Sequence, residues 1–186
     1  MLSIETTRIG DVLLMRPERI RDSRGWFCES WNLRKLSEQG VSAVFVQDNH
    51  SFSYSSNTLR GLHYQSPPHA QDKLVRCVRG AILDVAVDAR VGSPTYGEWF
   101  ATELSAEAGS QLFVPAGCLH GFITITPETE VEYKCSDFYA PECDGAVRWD
   151  SLAIDWGTDK EPILSNRDRV APPFAEWRSP FVWNGQ

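Results

Sequence analysis

The chain has 186 residues, 42% hydrophobic and 23% charged, with a formal net charge of -7 and a sequence pI of about 5.1. That is the composition of one ordinary globular domain with a sizeable core. The acidic balance argues against a partner bound through its nucleic-acid backbone. The apolar runs are too short to span a bilayer, and Met1-Leu2-Ser3-Ile4-Glu5 lacks the basic and apolar regions of a secretory leader. Five cysteines, Cys28, Cys77, Cys118, Cys135 and Cys143, are odd in number and form no C-x-x-C pair. They fit the reduced thiols of a cytoplasmic protein.

In chain order, Asp22-Ser23-Arg24-Gly25 is the first strong turn signal. A helix is predicted over 32–39, from a capping Asn32 to Gln39, just before Gly40. Val44-Phe45-Val46 leads into a strand, and Leu59 to Gln65 lies on a sheet. Lys73 to Val78 and Ala81 to Val87 read as two strands joined at Arg79-Gly80. Trp99 to Leu104, Leu112 to Val114, Phe122 to Thr126 and Glu130 to Cys135 continue the series. Gly92-Ser93-Pro94, Ala108-Gly109 and Pro115-Ala116-Gly117 supply turns between them. Many short strands with Gly/Pro turns indicate an all-β sandwich or barrel, with a jelly roll the leading choice. No repeat or linker divides the chain, so residues 1–186 are expected to form a single domain. From Gly145 onward, Trp149, Trp156, Trp177 and Trp183 stand among prolines and charges, which predicts a small C-terminal helical or irregular cap.

The chemistry concentrates around Arg60, His63 and Lys73: a guanidinium, an imidazole and an ammonium on neighbouring pieces of one sheet. Together they can grip an anion and move a proton. Strand alternation places Lys73 with Val75 and Cys77, and Tyr133 with Val131 and Cys135, while Glu132 and Lys134 take the other face. Lys73 and Tyr133 are therefore expected to point inward. Alternation alone leaves open an edge-strand Lys73 that snorkels outward, and His63 taken singly could be a satisfied core imidazole. Gly109 to His120 has the spacing G-x5-P-x-G-x2-H, which resembles the second motif of the cupin barrels. The first cupin motif carries an H-x-H pair, yet here His63-Tyr64-Gln65 stands in its place. The expected architecture is thus a cupin-like jelly-roll barrel that has kept its cavity, with no metal and no other cofactor. His120, after the proline-glycine turn, is expected to be a structural or secondary pocket residue rather than the base. His50 and His69 fall in predicted loops.

Further motifs sharpen the picture: Asp22 to Glu29, Gln47-Asp48-Asn49-His50-Ser51, Leu59 to Gln65, Gly80 to Asp88, Ser93-Pro94-Thr95-Tyr96-Gly97, Pro115 to Phe122, and Leu164-Ser165-Asn166-Arg167-Asp168. In this order the chain resembles the dTDP-4-dehydrorhamnose 3,5-epimerase family from about Arg16 to about Pro172. The resemblance implies that His63 is a general base, Asp168 its carboxylate partner, Lys73 the group that stabilises an enolate oxygen, and Tyr133 the acid on the opposite face. It implies that Arg60 and Gln47, with His120 in the same pocket, contact a nucleotide-diphosphate sugar. Phe27 and Glu29 resemble residues that one subunit of a homodimer lends to its neighbour through exchanged N-terminal strands. Phe138 or Tyr139 is expected to stack on the base. The cap departs from the family pattern: Trp156-Gly157 replaces Trp-Pro, Trp149-Asp150-Ser151 replaces Trp-Asn-Asp, and Arg167 stands where lysine is typical. These departures leave open inversion at C3 only or C5 only. A metal-dependent cupin enzyme and a non-catalytic nucleotide-sugar-binding cupin are the competing readings; the first needs three or four converging ligands.

Overall fold

A computed structural model describes residues 2–185. The N-terminal arm comprises β1 (Leu2–Thr6), β2 (Leu13–Pro17) and a small hairpin, β3 (Ile20–Asp22) with β4 (Gly25–Phe27). A short helix, α1 (Leu33–Ser37), precedes the barrel strands β5 (Gln47–Ser53), β6 (Leu59–Gln65), β7 (Lys73–Arg79), β8 (Ala81–Asp88), β9 (Trp99–Ser105), β10 (Gln111–Val114), β11 (Cys118–Thr124) and β12 (Thr129–Cys135). The chain closes with β13 (Asp144–Ala146) and α2 (Asn166–Val170). The barrel strands form two antiparallel sheets, β1-β2-β10-β7-β12-β5 and β13-β6-β11-β8-β9. This is the predicted jelly-roll layout.

Alternation explains the layering. Val75, Cys77, Val131 and Leu112 of the first sheet meet Ile82, Ala86, Leu104 and Phe122 of the second in the inner core. On the outer side of the second sheet, Leu62, Val85 and Leu119 are covered by Trp156, Trp177 and Phe181 from the C-terminal cap. On the outer side of the first sheet, Met15, Leu74 and Phe113 pack under Leu36 and Val41. Each such fully buried aliphatic or aromatic side chain stabilises the fold by about 1.5–3 kcal/mol.

Three local expectations are corrected. The helix spans Leu33–Ser37 rather than 32–39: Asn32 caps it, its Oδ1 accepting from the Lys35 amide at 3.2 Å, and the chain leaves helical geometry before Gly40 at φ +85°. The strand expected to start at Phe122 starts at Cys118, because Pro115-Ala116-Gly117 completes its turn within three residues. Gly117 sits at φ +93°, and a Cβ there would lie 2.6 Å from Arg90 Cγ. His120 is therefore a strand residue. His50 also lies in a strand, β5, where it bonds Glu130 across to β12 at 2.9 Å.

At the end of β8, Asp88 is wholly buried and accepts from Arg90 Nε at 2.9 Å, Arg90 Nη2 at 3.0 Å, Ser93 Oγ at 2.5 Å and Thr95 Oγ1 at 2.7 Å. Arg90 also reaches Asp11 at 2.5 Å and stacks on Trp183 at 4.3 Å. Burial pushes the Asp88 carboxyl up, but the hydrogen bonds from Arg90, Ser93 and Thr95 outweigh it and hold it below the usual carboxylate range. Its stabilising contribution is therefore present above the unfolded carboxylate pKa of about 4 and is lost as pH falls through the lower folded value. Asp88→Asn is expected to cost about 3–5 kcal/mol at pH 7 by leaving Arg90 underpaired, and to flatten the acid limb of stability. Urea melts across pH 7 to 3 check this; an equally steep acid limb in the variant would assign the limb to other carboxylates.

Candidate active site

The two sheets enclose a cavity of about 260 Å³ lined by Arg60, His63, Lys73, His120, Tyr133 and Asp168 among others. A region of about 170 Å³ shares His63, Lys73 and Tyr133 and continues to Gln47, Asn49, Tyr139, Asp144 and Arg167. His63 on β6 and His120 on β11 are direct cross-strand partners, so their side chains leave the same face of the second sheet. Close strand approach brings them there: a Cβ on Gly61, at φ +135°, would lie 2.6 Å from Gly121 Cα.

His63 Nε2 bonds Asp168 Oδ1 at 2.5 Å, and Asp168 is only 2% exposed. Ser165 caps α2 by accepting the Asp168 amide at 3.1 Å, which fixes the carboxylate behind the imidazole. Burial raises the Asp168 carboxyl, yet the hydrogen bond and charge of His63, with help from Ser165 and Arg167, hold it below the usual range. Opposite, and not on the sheet of Arg60 and His63 as expected, because β6 and β7 belong to different layers, Lys73 and Tyr133 come from β7 and β12 of the first sheet, with the Lys73 ammonium 6.0 Å from the Tyr133 ring centre. Burial lowers the Lys73 pKa against the opposing fields of Cys135, Asp144 and Asp84. Burial raises the Tyr133 phenol, which keeps its proton. Both face inward as alternation predicts, which settles the position of Lys73.

Arg60 lines the cavity while donating Nη2 to the Phe52 carbonyl at 3.1 Å. Gln47 accepts the Tyr139 amide at 2.9 Å, and Tyr139 O–H donates to Asp144 at 3.2 Å. Phe138 is 65% exposed and its ring is not in the wall. Phe27 and Glu29 lie outside this cavity, in a separate surface pocket with Trp31 and Leu36, and Glu29 pairs with Lys35 at 2.8 Å. Sequence reasoning missed Asp144, which clamps Arg167 in two bonds of 2.6 and 2.7 Å across the cavity wall; no motif marks it. It also missed Asp84, which sits behind His120. Among the described residues, no three His, Cys, Asp or Glu side chains cluster so as to hold a metal ion.

The family model for dTDP-4-dehydrorhamnose 3,5-epimerase matches this chain over residues 6–176. The chain belongs to the dTDP-4-dehydrorhamnose 3,5-epimerase family. The family member from Pseudomonas aeruginosa is 47% identical over 171 residues, covering 90% of this chain and 93% of its own. The crystal structure of the Bacillus anthracis epimerase, with TDP and PPi bound, matches at a TM-score of 0.89 and 44% identity, covering 92% of this chain and 99% of that one. The Legionella pneumophila epimerase in complex with dTDP-4-keto-L-rhamnose matches at a TM-score of 0.93 and 37% identity over 100% of both chains. As an epimerase of this family, the chain is an isomerase built on a cupin-like barrel.

Proposed function

We propose that the enzyme inverts both C3 and C5 of dTDP-4-dehydro-6-deoxy-D-glucose to give dTDP-4-dehydro-L-rhamnose, with His63 as base and Tyr133 as acid. Its reaction is epimerisation of a dTDP-4-keto-6-deoxyhexose. One observation carries the division of roles: the carboxylate-backed imidazole and the protonated phenol line one cavity from opposite sheets.

The C4 ketone acidifies the hydrogens on C3 and C5, because the resulting carbanion delocalises onto oxygen. His63, held in one tautomer by Asp168, takes the proton. The electron pair moves to the C4 oxygen, where the Lys73 ammonium stabilises the enolate. Tyr133 then gives its phenolic proton to carbon from the other face, and the configuration inverts. Exchange with solvent resets both groups. Arg60 and Gln47 take the diphosphate and nucleotide side. Tyr139 stacks on the base in preference to Phe138, since only Tyr139 lines the cavity. We infer a homodimer in which Phe27 and Glu29 serve the neighbouring cavity through exchanged N-terminal strands. Their distance from their own cavity and the 68% exposure of Phe27 support it, and sedimentation equilibrium tests it. Unpaired cysteines support a cytoplasmic site of action.

Proton NMR of the keto sugar nucleotide with enzyme in deuterated water tests the reaction. Deuterium is expected at both C3 and C5, with inverted product accumulating. Label at one carbon alone would make this a mono-epimerase; binding with no label would make it a binding protein. Lys73→Met is expected to lower kcat by about 10²–10³-fold with dTDP affinity near the native value by calorimetry. A variant that lost dTDP binding instead would mark Lys73 as a phosphate ligand.

A further inference from the structure

Tyr139 is held by its backbone more firmly than an exposed side chain requires. It is 58% exposed, yet the peptide groups on both sides of it are tied to one buried side chain, Gln65. Gln65 Nε2 donates to the Phe138 carbonyl at 2.9 Å, and Gln65 Oε1 accepts the Ala140 amide at 2.9 Å. The second hydrogen on Nε2 goes to the His69 carbonyl at 2.5 Å. Gln65 thus joins the two loops that follow β6 and β12, residues 66–72 and 136–143.

Other bonds brace the same corner. His69 Nδ1 pairs with Asp137 Oδ2 at 3.0 Å, Gln71 Nε2 donates to the Asp137 carbonyl at 2.8 Å, and Asp137 Oδ1 accepts the Phe138 amide at 2.7 Å. The Tyr139 amide goes to Gln47 and its hydroxyl to Asp144. Of the side chains that make these bonds only Gln65 is buried, at 5% exposure. Burying an amide is costly unless its polar atoms are bonded, and here they are. With both amide hydrogens engaged, Gln65 has no donor left for a ligand. It stands two residues beyond His63 on β6, so alternation sends both side chains to one face, and both line the same region of the cavity. The strand that carries the proposed base therefore also anchors the ring proposed to stack on the nucleobase.

We propose that Gln65 is a positioning residue for nucleotide recognition: by fixing the backbone on either side of Tyr139 it holds that ring in its stacking position before the nucleotide arrives. This rests on the reading of Tyr139 as the platform for the base. A platform on an unbraced loop would have to be ordered on binding, and the freedom lost would weaken affinity. The effect belongs to the base and not to the diphosphate or the reacting sugar, so it falls on KM rather than kcat.

The test measures binding of dTDP and of inorganic pyrophosphate by calorimetry, with turnover of the keto sugar nucleotide. It uses the native enzyme, Gln65→Met, Gln65→Glu, Tyr139→Ala, and Gln65→Met combined with Tyr139→Ala. Methionine keeps the length without the hydrogen bonds, and glutamate keeps the shape but turns the donor into an acceptor facing two carbonyls. Each Gln65 variant is expected to bind dTDP about 10-fold more weakly, the lower end of what one base–aromatic stack contributes, and pyrophosphate as the native enzyme does. KM should rise by a similar factor while kcat stays within about twofold. In the double variant, Gln65→Met should add nothing to the loss from Tyr139→Ala. Amide hydrogen exchange of the native protein tests the brace with no substitution, and decides should both Gln65 variants fail to fold. The Ala140 amide should be protected without ligand, and dTDP should add little. Protection that arises only with dTDP, a folded Gln65 variant with native dTDP affinity, or equal losses for dTDP and pyrophosphate overturns the proposal. A Tyr139→Ala enzyme with native dTDP affinity overturns the stacking reading instead, a different failure from one that loses affinity while Gln65→Met does not.

Discussion

Replacing His63 by alanine or asparagine is expected to reduce turnover by about 10²–10⁴-fold, the usual cost of losing a general base. The fold should survive. His63 is only partly buried, and its removal leaves the inner core of Val75, Ile82, Leu112 and Phe122 intact. Asp168 stays capped by Ser165 through its amide and beside Arg167. The asparagine variant offers Asp168 an amide donor, so its stability should lie nearer the native value than that of alanine. Binding of dTDP should persist, because Arg60, Gln47 and Tyr139 stand elsewhere in the cavity. Exchange at C3 and C5 should fall together, since one base serves both carbons. Near-native exchange at either carbon in a folded variant would remove His63 from that role.

Tyr133→Phe is expected to separate two events that the native enzyme couples. The variant keeps the ring, its place beside Lys73 and the His63–Asp168 pair. The enolate still forms, and His63 can return the proton to the face it came from. Deuterium should then enter the sugar with retained configuration faster than inverted product accumulates, and inversion should fall by about 10²-fold or more. A phenol that only satisfied a buried partner such as Asn49 would behave otherwise. Its loss would cost about 1 kcal/mol of stability, with exchange and inversion changing in equal proportion. Measuring both rates on one sample decides, and an unchanged ratio would count against Tyr133 as the acid.

The parts of this enzyme that were legible in advance are those governed by period and local turn chemistry. Alternation points Tyr133 inward, while for Lys73 it leaves an outward path open that the cavity closes, and the turn at Arg79-Gly80 divides β7 from β8. The N-terminal arm was less legible: β1 and β2 become strands only through pairing with each other and with β10, a distant segment. The turn at Pro115 and Gly117 delays the predicted strand to Phe122, although β11 takes over at Cys118 and carries His120. Asp144 lies in no motif, and Asp84 lies in the Gly80 to Asp88 motif without a role that the sequence assigns. Their importance comes from Arg167, 23 residues away, and from His120, 36 residues away, which only the folded sheets bring near.

With the proposed base and acid on opposing sheets, the inner packing becomes a gauge of stereochemistry. His63 rides on one β-layer and Tyr133 on the other, and the layers are spaced by side chains such as Val75, Ala86 and Leu104 that do not line the cavity. Their volumes set the gap across which a sugar ring must be served from both faces. A slightly wider gap moves Lys73 and Tyr133, both on the first sheet, away from His63 together, so that enolate stabilisation and proton delivery in the proposed scheme weaken in step. Under the proposed roles, the efficiency of inversion thus depends on hydrophobic residues that no reaction scheme contains.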